Sequence, residues 1–257
     1  HSAAQALPAG STPQGFTVIA QMLPYIEQDN IYRQIDFTVA ANSPANAGPT
    51  ATRIPILLCP ADLLEPPPGV AGNNYFANYG TEPWFFQNKS VANGVFGLRD
   101  PNGGVRLTDI QDGTSNTVAF SELAKGDFNN AMYSKPDWLN GSSVGAPTTA
   151  DQTYSMCQSL NTQNLAYQWF SAGSEWLNDN NTGTAYCHVG LPNTTNCGFP
   201  ANLRFCVSAN SYHVGGGVNV CLCDGSVRFV SDTVSMATWR ALGTRSGGEI
   251  LGNDFTN

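Results

Sequence analysis

The sequence predicts an α+β protein in which short helices precede an antiparallel β-sheet. Near the C-terminus, two alternating apolar runs flank the pair Asp224-Gly225, the strongest short-range signal for a β-hairpin. Helical periodicity lies at the opposite end, over residues 17–37, and returns briefly over residues 234–244. Helices and strands are therefore separated along most of the chain, which is typical of α+β folds.

The N-terminal helical segment is interrupted by a proline. Apolar residues recur at helical spacing at Ile19, Met22, Leu23 and Ile26. Pro24 falls inside this pattern, where its ring cannot continue a helix. We therefore expect two short helices, or one kinked helix, in this part of the chain.

The next segments predict short strands and irregular structure. Residues 54–60 form an apolar run bounded by prolines, which predicts an edge strand. Residues 60–93 are rich in proline, asparagine and aromatic residues and predict irregular structure. A turn at Asp112-Gly113 then leads into a strand that ends near Glu122.

Residues 125–205 form a long polar insertion. A structureless loop of this length is uncommon in a compact domain, so we expect the insertion to carry small strands of its own. We find no internal repeat that would divide the chain. The sequence therefore predicts a single globular head over residues 1–257.

The C-terminal hairpin predicts a buried apolar face. A two-residue turn at Asp224-Gly225 fixes the register of the two strands, and alternate side chains then share a face. The pairs expected from this turn are Leu222 with Val227 and Val220 with Phe229, and these four side chains are expected to share the buried face with Val218.

A helix is expected to follow the hairpin, over about residues 234–244. Ser235 or Thr233 would cap its N-terminus, since a hydroxyl accepts from the first free N–H groups. The pair Gly247-Gly248 is predicted to end it.

Composition favours a secreted or cell-surface protein. Charged residues make up only 12% of the chain, and Gly (26) and Pro (16) are frequent, as expected for a loop-rich surface protein. The net charge of −8 argues against a nucleic-acid partner, which requires clustered lysine and arginine. No run of roughly 18 apolar residues occurs, so nothing in this sequence is expected to span a bilayer.

The chain contains seven cysteines, which predicts structural disulfides in an oxidising compartment. No C-x-x-C pair occurs, so the spacing gives no indication of a zinc site. Cys221 and Cys223 lie on one strand face, near the outer limit of disulfide geometry, and are not expected to bond to each other. An odd count leaves at least one thiol unpaired or paired between chains. The disulfide candidates are Cys59, Cys157, Cys187, Cys197, Cys206, Cys221 and Cys223.

Several segments together resemble one protein family. They are LPYIEQ at 23–28 with IY at 31–32, IPILLCPAD at 54–62, DIQDGTSNT at 109–117 with SE at 121–122, and DGSVRFVS at 224–231, extended by the tail at 237–249. In this order they resemble the bacterial prepilin-like proteins of unknown function that carry a processing-associated His-to-Asp-Gly motif near the C-terminus.

The motif residues of this chain are His213 and Asp224-Gly225, with Asp112-Gly113 as a second structural pair. Ten residues separate His213 from Asp224, whereas the family has nine, and the insertion falls in the glycines at 215–217. We assign these residues structural rather than catalytic roles.

The resemblance implies a pilin-like head whose apolar N-terminal helix is missing from this sequence. It implies export by a type IV pilus or type II secretion-like apparatus to the bacterial surface. Expected partners are other copies or other pilin-like subunits, and contact with the membrane is expected only through the missing helix. The resemblance implies no reaction, and the expected role is structural and non-enzymatic.

The sequence gives little indication of catalytic or metal-binding residues. A catalytic triad requires a nucleophile and an orienting acid beside a histidine. We instead expect His213 to be hydrogen-bonded to a backbone carbonyl near the hairpin. The Asp-Gly pairs and residues 100–104 are expected to form turns, with bound calcium as the alternative. We predict no catalytic residue, cofactor or metal ligand.

An alternative function is an extracellular module that binds a glycan or another solute, assisted by calcium. Aromatic residues in the 60–93 region would stack on the sugar, although such clusters more often belong to the core. These residues are Tyr75, Phe76, Tyr79, Trp84, Phe85 and Phe86.

Overall fold

The computed structural model describes residues 6–83, 92–96, 104–166, 168–179 and 184–256. Their strands form sheets of five and three strands, accompanied by short helices, which confirms the α+β prediction. The helices are α1 (Val18–Met22), α2 (Asp29–Tyr32), α3 (Ala47–Thr50), α4 (Ala150–Gln158), α5 (Met236–Gly243) and α6 (Asn253–Thr256). The strands are β1 (Tyr75–Asn78), β2 (Val118–Glu122), β3 (Trp138–Asn140), β4 (Ala185–Tyr186), β5 (Asn196–Phe199), β6 (Arg204–Cys206), β7 (Gly217–Leu222) and β8 (Val227–Ser231).

The larger sheet has the order β4-β1-β2-β7-β8. Its β1–β2, β2–β7 and β7–β8 pairs are antiparallel, as predicted, and the short strand β4 joins parallel to β1. The smaller sheet, β3-β5-β6, lies almost wholly in the 125–205 insertion, which therefore carries strands of its own as expected.

The two faces of the larger sheet are covered differently. Asn78 of β1 donates to the Gly243 carbonyl at 3.0 Å, which places α5 against one face. Trp239 and Leu242 of α5 are completely buried. The opposite face is covered in part by α1. No helix of the described residues is both long and apolar enough to cross a membrane.

The N-terminal helices are broken as predicted. Thr17 caps α1, its hydroxyl accepting from the N–H of Ala20 at 3.1 Å. A 3-10 helix with Pro24 in its first turn follows (Leu23–Ile26), and the left-handed residue Glu27 then ends it before α2.

The prediction of an edge strand at residues 54–60 is wrong. Pro55 opens a 3-10 helix instead, Pro55–Leu57. Pro55 has no N–H to give to a strand neighbour, and its fixed φ suits the first turn of a helix. The 60–93 region, predicted irregular, contains β1, and its aromatic residues Phe76 and Tyr79 are buried in the core. Residues 84–91 and 97–103, which include Trp84, Phe85, Phe86 and most of the 100–104 turn, lie outside the described residues.

The C-terminal hairpin forms with a register one residue from the predicted one. Cys221 pairs with Val227 and Val220 with Arg228, because the loop is three residues long rather than two. The Leu222 N–H donates to the Ser226 carbonyl at 2.8 Å. A shift of one residue exchanges the two faces of a strand.

Val227 and Phe229 therefore face outward instead of into the core. They are 65% and 49% exposed, and the predicted apolar face is wrong for both. Val218, Val220 and Leu222 remain buried, as predicted.

Helix α5 follows the hairpin and is capped by Ser235, whose hydroxyl accepts from the Thr238 N–H. It ends at Gly243, earlier than the predicted Gly247-Gly248. Those two glycines instead donate their N–H groups to the Asp112 carboxylate, each at 2.8 Å.

Candidate functional site

Three side chains from distant segments meet where the end of β2 lies beside β7. The Oε1 atom of Glu122 is 2.9 Å from Nε2 of His213 and 3.5 Å from Sγ of Cys59. Sγ of Cys59 is 3.7 Å from the same His213 nitrogen. All three atoms lie within 4.8 Å of one another, so they converge on one point. We call these three residues the Cys-Glu-His cluster.

Backbone structure explains how the segments reach this point. Cys59 lies just after the proline-initiated 3-10 helix, and its N–H donates to Oδ1 of Asn74 at 3.0 Å. Glu122 is the last residue of β2. His213 precedes β7, and its N–H donates to Oγ of Ser211 at 3.2 Å.

Asn219 of β7 holds the carboxylate of Glu122 from the other side. Its backbone N–H donates to Oε2 at 2.7 Å, and its side-chain amide donates to both carboxylate oxygens at 3.1 and 3.2 Å. The amide nitrogen also lies 3.1 Å from Nε2 of His213. Oε2 is thereby fixed by the backbone, while Oε1 faces Cys59 and His213.

The cluster is mostly buried but open on one side. The side chain of Glu122 is 5% exposed, whereas that of His213 is 26% exposed. Burial is the main reason why the pKa of the Cys59 thiol is raised, and the nearby Glu122 charge adds to it. The free thiol is therefore a neutral hydrogen-bond donor.

The geometry does not match a nucleophile activated by a histidine base. In such a triad the acid binds one ring nitrogen and the nucleophile binds the other. Here Glu122 and Cys59 both approach Nε2. A raised thiol pKa also disfavours the thiolate that such chemistry needs.

A buried ion pair lies next to the cluster. Nζ of Lys125 is 2.8 Å from Oδ2 of Asp62, and both side chains are almost completely buried. Asn74 links this pair to the cluster, because its amide donates to Asp62 at 2.7 Å while its Oδ1 accepts from Cys59. Lys125 also donates to Oδ1 of Asn74 at 3.1 Å.

His213 therefore has a different partner from the predicted one. Its Nε2 contacts the carboxylate of Glu122, where a backbone carbonyl was expected. Sequence reasoning considered Cys59, Glu122 and His213 separately and did not group them. Each of the three falls in or beside a segment that carries the family resemblance. This shared feature is the sequence signal that could have grouped them.

The two Asp-Gly pairs form turns. Oδ1 of Asp224 accepts from the N–H and the hydroxyl of Ser226 at 2.9 and 2.7 Å, and these bonds lower the pKa of Asp224. Gly225 has φ +86° and Gly113 has φ +96°, a region that glycine adopts without strain. The carboxylate oxygens of Asp112 are used by the C-terminal glycines, as described above. These contacts agree with the predicted turn role.

One disulfide forms, between Cys157 of α4 and Cys197 of β5. Cys221 and Cys223 are not bonded to each other, as expected. The cysteines with free thiols are Cys59, Cys187, Cys206, Cys221 and Cys223.

An apolar pocket of about 200 Å³ lies between α1 and the larger sheet. Its lining contains almost no polar surface. The lining residues are Ile19, Met22, Ile26, Ile56, Leu57, Tyr75, Phe120 and Cys221.

The chain matches the model of a known protein family. A family described as a protein of unknown function, DUF1559, matches residues 1–237, which include the whole Cys-Glu-His cluster. No curated protein and no solved structure matches the chain significantly.

Proposed function

The chain belongs to the DUF1559 family of proteins of unknown function, and from this premise we propose that it is a non-enzymatic structural subunit of the bacterial cell surface. In this proposal the chain is the head of a pilin-like or pseudopilin-like subunit, exported by a type IV pilus or type II secretion-like apparatus. The head assembles with other copies of itself, and an apolar N-terminal helix of the full subunit provides the contact with the membrane.

The observation that carries the proposal is the open edge of the larger sheet. Among the described residues, β8 is the last strand of that sheet, and an edge strand presents unpaired N–H and C=O groups to a second chain. Val227 and Phe229 lie on this strand with 65% and 49% of their surface exposed. Proteins that must stay monomeric usually avoid exposed apolar residues on an edge strand.

A second copy of this chain is the partner that fits this edge. Two β8 strands pairing in antiparallel fashion would form a symmetric interface, in which the same residues face each other across a two-fold axis. Such a contact would continue the sheet between subunits and bury Val227 and Phe229 of both copies.

The cell-surface location is supported by composition and by a disulfide. Charged residues are scarce, at 12% of the chain. The Cys157–Cys197 bond suits an oxidising compartment. Glu122 and Cys59 approach the same ring nitrogen of His213, and this arrangement supports a role without nucleophilic catalysis.

Light scattering after size-exclusion chromatography, over a range of protein concentrations, tests the assembly. We expect the molecular mass to rise towards a dimer with concentration, and Phe229→Glu to shift the protein to monomer. Met132→Glu is the matched control, because Met132 is 58% exposed in the 125–205 insertion, outside the hairpin. A wild-type protein that remains monomeric at its solubility limit would contradict the proposal, as would equal effects of the two variants.

A second candidate function, solute binding, is favoured by the apolar pocket between α1 and the sheet. Its nearly complete lack of polar lining suits a small apolar solute rather than a glycan, which requires several hydrogen-bonding groups. Calorimetric titration with toluene tests this function. Met22→Trp, which fills the pocket, should abolish the binding heat, and absence of heat with the wild type would end this candidate.

A further inference from the structure

We propose that Cys59, Glu122 and His213 bind one divalent transition-metal ion, and that Zn²⁺ is the ion this donor set fits best. The site lies where β2 meets β7, and the ring of Phe229 on β8 lies edge-on to that of His213, with 6.4 Å between the ring centres. All three ligands come from one chain and none lies on β8, so the inference does not rest on the assembly proposed above. Thiolate, imidazole and carboxylate are the three ligand types that zinc takes in proteins.

The distances between the donor atoms suit a shared ion. Zinc bonds of about 2.3 Å to sulfur and about 2.0–2.2 Å to nitrogen or oxygen, in tetrahedral geometry, place ligand atoms roughly 3.4–3.6 Å apart. The two distances from Cys59 Sγ are 3.5 and 3.7 Å, and the Glu122–His213 distance is 2.9 Å. A movement of about half an ångström between Glu122 and His213 is therefore enough to admit the ion.

The partners of the ligands hold them in place for this role. The Asn219 backbone N–H donates to Oε2 of Glu122 at 2.7 Å and fixes the carboxylate. The Asn219 side-chain amide lies 3.1 Å from both Oε1 of Glu122 and Nε2 of His213, so it must turn away from these two atoms when the ion binds. The bonds from Cys59 N–H to Asn74 and from His213 N–H to Ser211 fix the backbone of the other two ligands. Such outer hydrogen bonds orient metal ligands and maintain affinity.

The solvent-facing side of the cluster gives the ion access and a fourth position. His213 is the most exposed ligand, with 26% of its side chain accessible, while Glu122 and Cys59 form the buried floor. Three protein ligands leave the fourth position of a tetrahedral ion to a water molecule. Binding requires Cys59 to lose its proton, so uptake of the ion releases a proton to solvent.

Calorimetric titration of the chelator-treated full chain with Zn²⁺ tests the site. We expect one equivalent to bind, with release of a proton that is detected in buffers of different ionisation enthalpy. The thermal midpoint should rise with Zn²⁺, because the ion binds the folded state. Titration with Co²⁺ adds a direct readout, since a cysteine ligand gives a thiolate-to-cobalt charge-transfer absorption.

Variants separate this site from adventitious binding elsewhere on an acidic surface. His213→Gln and Cys59→Ser should each weaken Zn²⁺ binding on the order of 100-fold or more, and Cys59→Ser should also remove the charge-transfer band. Cys221→Ser is the matched control, because Cys221 is a nearby free thiol outside the cluster, and it should bind like the wild type.

Two results would overturn the proposal. One is a wild-type chain that shows no stoichiometric Zn²⁺ uptake or no charge-transfer band with Co²⁺. The other is uptake that survives both His213→Gln and Cys59→Ser. Because the first readout uses the wild type alone, the proposal can fail even if a variant does not fold.

Discussion

His188 shows how a single buried polar residue can make stability depend on pH. Its Nδ1 lies 2.6 Å from the Trp239 carbonyl and its Nε2 lies 2.8 Å from the Tyr186 hydroxyl. The imidazole also stacks on the Trp239 ring at 4.1 Å. Because the side chain is completely buried, desolvation lowers the pKa of His188 to about 3.

We therefore predict that acid destabilises the protein through His188. The unfolded chain takes up a proton on this residue below its ordinary pKa of 6.5, whereas the folded chain does so only near 3. Stability is fully present above pH 6.5 and is lost as the pH falls towards 3. The free energy of unfolding falls by about 1.4 kcal/mol for each pH unit well below 6.5, and at pH 5 the total decrease is roughly 2 kcal/mol. Urea denaturation between pH 7 and 5 measures it.

His188→Gln is the comparison that isolates this effect. The variant should be less stable at pH 7 but should lack the decline between pH 6.5 and 5 that the histidine causes. Asp137 acts in the opposite direction, since burial raises its pKa to about 6 and protonation below that value favours the folded state. Asp137 is present in both proteins, so its contribution cancels in the difference. Parallel stability curves for the two proteins would contradict the prediction.

At the scale of the element, the hairpin shows what decides register. The pair Asp224-Gly225 is compatible with a two-residue turn and with a three-residue loop that ends in a left-handed glycine. The structure has the second, with Gly225 at φ +86°. Both loops contain Asp224-Gly225, so the local sequence identifies the hairpin but does not choose between the two registers.

We predict that Gly225→Ala destabilises the protein through its backbone alone. A Cβ at Gly225 would meet nothing within 4 Å, so the left-handed φ is the sole cost, about 1–2 kcal/mol. Gly225→Asn is the matched comparison, because its Cβ meets the same open space and asparagine tolerates the left-handed region better than alanine does. Gly225→Asn should therefore lower the free energy of unfolding less than Gly225→Ala does. Equal losses for the two variants would show that φ is not the cause.

At the scale of the whole molecule, the sequence predicts the structural features that depend on residues close together along the chain. The break at Pro24, the Ser235 cap and the hairpin itself follow from local chemistry. The Cys-Glu-His cluster does not, because Cys59 is 154 residues from His213 along the chain and 63 from Glu122. Glu122 and His213 meet because β2 lies beside β7, and Cys59 joins them through the bond of its N–H to Asn74, just before β1. The order of strands in a sheet is not encoded in any short segment.

The buried pair Lys125–Asp62 lies at the junction of these distant segments. The backbone N–H of Lys125 donates to Oδ2 of Asp62 at 2.8 Å, and its Nζ binds the same oxygen. Lys125 is also the first residue of the 125–205 insertion. The insertion continues beside it, where the Gly126 N–H donates to the Ala172 carbonyl at 2.9 Å. One charge pair therefore connects the 54–62 segment, β1 through Asn74, and the insertion.

Lys125→Met should consequently destabilise the entire fold. Removing the ammonium leaves the Asp62 carboxylate buried without its charged partner, which costs about 3–5 kcal/mol in urea denaturation. Adding Asp62→Asn should restore part of the loss, because the unpaired charge is then gone. Arg53→Met is the control, since Arg53 pairs with Glu65 on the surface and solvent screens the attraction, so its denaturation midpoint should barely move. If Lys125→Met shifts the midpoint no more than Arg53→Met does, the buried pair does not hold these segments together.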